Sequence, residues 1–183
     1  MTPAMLPDVP LTRGDGTPDS LGAHAGNVLL VVNTASQCGL TPQYAGLEAL
    51  HERLGARGFE VLAFPANDFG SQEPGSDDEI ASFCEVNFGA SFPIFAKGSV
   101  VGDTKQPLYA ALTAAAPTKR GNADAMRERF LSKGMVPNGD PEVLWNFEKF
   151  LIGRDLQVIA RFAPATTPDD PELVAEIERA LEA

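Results

Sequence analysis

The chain is short of cysteine. Its 183 residues contain two, Cys38 and Cys84, and no C-x-x-C pair. Two histidines, His24 and His51, are the only others, and their spacing from the cysteines fits no zinc finger. No metal site is expected. Basic residues are also scarce: 14 Lys and Arg against 25 Asp and Glu, a net charge of −11. That argues against broad binding to nucleic acid or to an anionic membrane surface, because phosphate contacts need clustered cations. No apolar run reaches the roughly 18 residues that would signal a transmembrane helix. The opening segment has no basic n-region and no long apolar h-region, so a cytoplasmic location is expected rather than secretion. In a reducing cytoplasm two thiols are inert, catalytic or redox-active rather than a structural staple.

Hydrophobic residues are plentiful, at 44%, enough for a core that needs no disulfide or metal. There is no internal repeat, low-complexity tract or linker. The length fits a single domain over residues 1–183. "NVLLVVN", 27–33, is a continuous Val-rich run, expected as a strand buried on both faces. It ends in "TASQCGLTPQ", a turn that carries Cys38. In the helix expected next, Leu47, Leu50 and Leu54 recur at spacings of three and four, and Gly58 stops it. "FEVLAFPA", 59–66, reads as a second buried strand, and "ANDFGSQEPG" as a loop.

Ser76 and Glu79 form a capping box, so "DDEIASFCEVNF" is expected to be a helix with Cys84 half-buried on its apolar face. "FPIFAKGSV" reads as a short strand or extended piece and "QPLYAALTAAA" as a helix. "DAMRERFLSKG" is a further helix inside an irregular stretch. "LWNFEKFLI" and "LQVIARFAP" are strand-like runs joined by a hairpin signal. Asp170 and Pro171 open a last helix. Parallel strands come first and antiparallel ones last. The order suits an α/β, thioredoxin-like fold with a central mixed β-sheet flanked by helices.

Cys38 follows a buried strand and precedes a helix, at the carboxyl edge of the sheet where ligands usually bind. Unpaired N–H groups and the positive dipole end of a helix favour thiolate there. Position alone leaves two readings: a reactive sulfur, or a small residue ending a strand.

Three segments separate them. "VNTASQCG", "FPANDFGSQEPGS" and "WNFEKFLI" stand in this order at wide separations. Together they resemble the glutathione peroxidase family, and the resemblance runs from about Val9 to Leu181. It implies a thioredoxin-like fold and reduction of hydroperoxides at an active-site selenocysteine or cysteine, here Cys38. Gln72, Trp145 and Asn146 match the family's catalytic glutamine, tryptophan and asparagine. Without the resemblance they read as a loop residue, a core residue and a turn residue. Their N–H donors suit a peroxidatic thiolate, because none of them titrates.

Cys84 resembles the resolving cysteine of members that recycle through thioredoxin. In that reading the Cys38 sulfenic acid condenses with Cys84, and thioredoxin reduces the disulfide. The alternative is a buried structural cysteine. The two are 46 residues apart in sequence, and a disulfide needs Cα atoms within about 7 Å. If they stand far apart, the Cys84 helix must unwind. The expected partners are a hydroperoxide and thioredoxin, with no cofactor. Glutathione as direct reductant and a peroxide sensor that oxidises a partner protein are the alternatives.

The chain departs from the family's usual "FPCNQFG" at Ala66 and Asp68. A carboxylate facing Cys38 would oppose its thiolate, by roughly one pKa unit or more for a close like charge. Asp68 is therefore expected to face solvent or cap the loop. The link across about 113–144 is long, as in members that form tetramers. Two readings follow: a homo-oligomer with Met126, Phe130 and Leu131 as candidate interface residues, or a solvent-covered insertion.

Overall fold

The computed structural model describes residues 4–183. Two central strands, Val28–Thr34 (β3) and Phe59–Pro65 (β4), pair in parallel. They are preceded by a small antiparallel hairpin of Pro10–Thr12 (β1) and Pro18–Ser20 (β2), which sequence patterning did not signal. Lys149–Ile152 (β5) runs antiparallel to β3, and Val158–Phe162 (β6) antiparallel to β5, so the four-stranded sheet has the order β4-β3-β5-β6.

β3 is buried along its whole length, because strand side chains alternate between two faces and both faces are covered. Val28, Leu30 and Val32 pack towards the helices Gln43–Leu54 (α1), Asp77–Phe88 (α2) and Pro171–Glu182 (α5), through Leu47, Ile80 and Ile177 among others. Leu29 and Val31 face the other side, where Leu108, Tyr109 and Leu112 of Pro107–Ala115 (α3) and the N-terminal hairpin close the core. The remaining helix, Ala123–Ser132 (α4), carries its own small apolar cluster.

The local signals hold in detail. Ser76 Oγ accepts from the Glu79 N–H, Glu79 returns a bond to the Ser76 N–H, and Gly89 ends α2 in a left-handed conformation. Asp170 caps α5 through the N–H groups of Glu172 and Leu173. "FPIFAKGSV" is the extended piece rather than the short strand, with single bridges at Ile94 and Phe95. Two expectations change. "LWNF" is not strand, since β5 begins only at Lys149. Cys84 is fully buried, not half-buried.

The hairpin is tied to the sheet by His24, whose two ring nitrogens each lie 2.9 Å from a carboxylate, of Asp19 and of Glu60. Only the imidazolium donates from both nitrogens. Hydrogen bonding to Glu60, then to Asp19, raises the His24 pKa against the opposing effect of burial. A raised folded pKa gives stability that is fully present below the ordinary value of about 6.5 and is lost as pH rises through the folded value. His24→Gln should therefore lower the thermal midpoint more at about pH 6 than at about pH 9. A gap that stays constant across that range, followed by circular dichroism, would show that His24 carries no charge in the fold.

Candidate active site

Cys38 sits in the turn between β3 and α1, with 9% of its surface exposed. The turn is braced from within. The Cys38 N–H donates to Thr41 Oγ1 at 3.0 Å, and Thr41 Oγ1 donates to the Ala35 carbonyl at 2.8 Å. The Leu40 N–H points at Cys38 Sγ from 3.3 Å, a donor suited to sulfur that carries negative charge. The neighbouring residue docks the turn on the second segment: the Gln37 N–H donates to the Gln72 carbonyl at 3.0 Å.

The third segment reaches the same place. Asn146, fully buried, donates from Nδ2 to Gln72 Oε1 at 2.9 Å. That bond uses the Gln72 oxygen and makes Nε2 its donor end. Trp145 packs against the cluster containing Cys38 and Leu40, with Phe69 and Phe130 on its ring at centroid distances of 5.4 and 4.7 Å. Cys38, Gln72, Trp145 and Asn146 thus come from three distant stretches and meet at the carboxyl ends of β3 and β4.

Each stretch is held by residues that sequence reading passed over. Asn33, the polar residue inside the β3 run, donates to the Trp145 carbonyl at 3.0 Å and accepts from the Phe147 N–H at 2.6 Å. Glu148, fully buried, accepts from the Leu144 N–H and pairs with Lys119 and Arg161. Lys149 donates to the Phe147 carbonyl at 2.6 Å, and burial pulls its ammonium down to about 7 despite the Glu148 charge beside it. These contacts keep residues 144–148 out of the strand. They also hold Phe147 at φ 68° and, in the second segment, Ser71 stands at φ 52°. A left-handed non-glycine persists only where its surroundings over-determine it. The one signal in the sequence was charge and amide among apolar neighbours.

Gly70 lies between the segments at φ +64°, and a Cβ there would stand 3.4 Å from both Gln72 Nε2 and the Trp145 ring. Gly70→Ala should cost about 1–2 kcal/mol from backbone conformation alone. At this chain length that is a fall of roughly 2–8 °C in thermal midpoint. An unchanged midpoint in a calorimetric scan would show that the turn relaxes freely.

Asp68 is engaged away from the Cys38 turn's own bonds. Its carboxylate caps the following loop, accepting from Ser99 Oγ at 2.9 Å and the Val100 N–H at 2.8 Å. The interface reading of α4 needs correction. Met126 is buried against Leu144 and Ala163, and Phe130 rests on Trp145, so only Leu131 of the three is exposed. The long link folds onto the site because its apolar residues find Trp145 and Leu144 within the same chain.

Cys38 and Cys84 are both free thiols. Cys84 lies within α2, with no exposed surface. Burial first, then the Glu73 charge, pushes its thiol up to about 11, against the opposing influence of the Tyr44 hydroxyl. Among the described residues no His, Cys, Asp and Glu group could hold a metal ion. No helix there is long and apolar enough to cross a membrane.

The glutathione peroxidase family model matches residues 8–113. The "Thioredoxin/glutathione peroxidase BtuE" of Escherichia coli is 50% identical over 91% of this chain and 92% of its own. The "Hydroperoxy fatty acid reductase gpx1" of Synechocystis is 47% identical over 91% and 90%. Among solved structures, the apo form of Trgpx is 34% identical and superposes with a TM-score of 0.70 over 98% of this chain and 97% of that one. A thioredoxin-family thiol:disulfide interchange protein of Chlorobium tepidum, 13% identical, shares the fold at a TM-score of 0.64 over 99% and 98%. The fold is thioredoxin-like, and the chain belongs to the glutathione peroxidase family of peroxidase oxidoreductases.

Proposed function

We propose that the chain reduces hydrogen peroxide and organic hydroperoxides at Cys38 and is recycled by thioredoxin through a Cys38–Cys84 disulfide. The observation that carries this reading is the convergence of Cys38, Gln72, Trp145 and Asn146 at one sheet edge, joined by the Asn146–Gln72 bond. The Cys38 thiolate attacks one peroxide oxygen, the O–O bond breaks, and the alkoxide leaves and takes a proton as the alcohol. Sulfur is left as sulfenic acid, oxidised by two electrons. The Gln72 amide and the Trp145 indole supply N–H donors that stabilise the departing charge without titrating.

The electrons return through thiols, so no cofactor is required. Cys84 attacks the Cys38 sulfenic sulfur, water leaves, and thioredoxin reduces the resulting disulfide. Cys84 is buried in a helix capped at both ends, so this step requires α2 to open. The relatives' names fit both a thiol reductant and a bulky organic substrate. Self-association through the long link would use Leu131 and Val136, which are exposed.

The test is steady-state NADPH consumption with thioredoxin and its reductase, against glutathione and its reductase. It is run with hydrogen peroxide and with a fatty-acid hydroperoxide. Turnover with thioredoxin on both peroxides is expected. Turnover with glutathione alone would replace the reductant, and no turnover with either would leave a peroxide sensor as the better reading.

A further inference from the structure

Between the Cys38 turn and α2 lies a cavity of about 140 Å³, with Ser36 and Gln37 on one wall and Ile80 and Phe83 on the other. Glu73 stands between them. It is 1% exposed, and its Oε2 completes no hydrogen bond. The residue is fixed by its backbone instead. Its N–H donates to Asn67 Oδ1 at 2.9 Å, and its carbonyl accepts from Lys97 Nζ at 3.2 Å. A buried carboxylate oxygen without a partner is costly, and neither loop position nor core packing explains it here. The hydroxyls of Ser36 and Tyr44 are likewise buried without a completed bond.

The groups facing Glu73 are few. From the Cys38 turn comes Ser36, whose polar groups draw the Glu73 pKa down. From beyond α2 comes the Lys97 charge, which does the same more weakly. Burial outweighs both and leaves the carboxyl raised. From α1 comes Tyr44, and from α2 come Cys84 and, on the cavity wall, Glu79. Cys84 follows Phe83 directly and stands one turn beyond Ile80, the two α2 residues nearest it on the cavity wall.

Resting on the two-cysteine reading above, we infer that Glu73 is the proton acceptor for Cys84 in disulfide formation. As α2 loosens, the Cys84 S–H gives its proton to the Glu73 carboxylate. The thiolate sulfur bonds to Cys38 sulfur, the Cys38 S–O bond breaks, and the leaving hydroxide takes the proton from Glu73 to depart as water. One sulfenic sulfur, already oxidised by two electrons by the peroxide, and one thiol sulfur end as a disulfide and a water, and no other reactant enters. Gln72, whose carbonyl holds the Cys38 turn, precedes Glu73 directly, so the same loop serves both sulfurs.

The test uses the full chain and its Glu73→Gln variant, each treated with one equivalent of hydrogen peroxide and quenched in acid at intervals. Loss of the Cys38 thiol and appearance of the disulfide are followed separately by intact mass and peptide mapping. The defect should fall on the second step, slowed about 100-fold near pH 7, and should shrink about tenfold per pH unit as hydroxide substitutes for the base. Glu73→Asp, which keeps a carboxyl, should restore much of the wild-type pH profile; if the Gln variant does not fold, Glu73→Met, of similar length and without a base, takes its place. Disulfide formation by Glu73→Gln, or by Glu73→Met in its place, at the wild-type rate and with the wild-type pH profile would overturn the role of Glu73 while leaving the two-cysteine reading intact. Failure of the wild type to form the disulfide at all would overturn both.

Discussion

Cys38→Ser should lose peroxide turnover by about a thousandfold or more, with any reductant. A serine hydroxyl is a poor nucleophile at neutral pH and cannot store an oxygen as a sulfenic acid can. The fold should survive. Serine is nearly isosteric, and the backbone bonds that brace the turn, from Cys38 N–H to Thr41 and from Thr41 to Ala35, do not involve the sulfur. The Leu40 N–H that points at Sγ would find an oxygen in its place. Coupled assays and a thermal scan of the same sample separate the two effects. Residual turnover above a few per cent would move the peroxidatic role to another residue.

Cys84→Ser should divide the reaction in two. One round of peroxide reduction should proceed and leave Cys38 oxidised, while steady-state turnover with thioredoxin should fall by about 100-fold or more. The reason is geometric and chemical together. Thioredoxin reduces a disulfide, and without Cys84 the oxidised Cys38 stays in a turn with little exposed surface. A buried thiol with its pKa pushed to about 11 is a weak nucleophile while α2 stays closed. The Ser76–Glu79 box and the Gly89 cap hold that helix shut at either end, and Glu48 of α1 adds a further tie by accepting from the Ser91 N–H at 2.8 Å. Full turnover of Cys84→Ser with thioredoxin would remove the resolving role.

Much of this was legible before the structure. β3 and β4 announced themselves as continuous apolar runs because both faces of the central sheet are covered. α2 was legible because Ser76 and Glu79 are local devices whose partners lie within one turn. The site residues were legible only through the resemblance of three separate segments. Nothing in the composition around Gln72 or Asn146 says that one will accept from the other across 74 positions.

What stayed hidden is non-local. The β1–β2 hairpin has three-residue strands, too short to show alternation, and its anchor His24 finds Glu60 on a distant strand. "LWNF" has strand-like composition. Glu148 overrides it by pulling Leu144, Lys119 and Arg161 into one buried network. Met126 looked like surface for a partner, but it is buried beside Leu144, and Phe130 is half-buried against Trp145. Glu73 was read as part of a loop motif. Its burial shows only once the Cys38 turn and α2 close around it.

The central claim is that Cys38 and Cys84 work as a pair. Its most direct test is intact mass and peptide mapping of the wild type after one equivalent of hydrogen peroxide. The account predicts a monomer lighter by two hydrogens, with Cys38 joined to Cys84, returned to two free thiols by thioredoxin. A chain that gains oxygen at Cys38 while Cys84 remains a free thiol would contradict it.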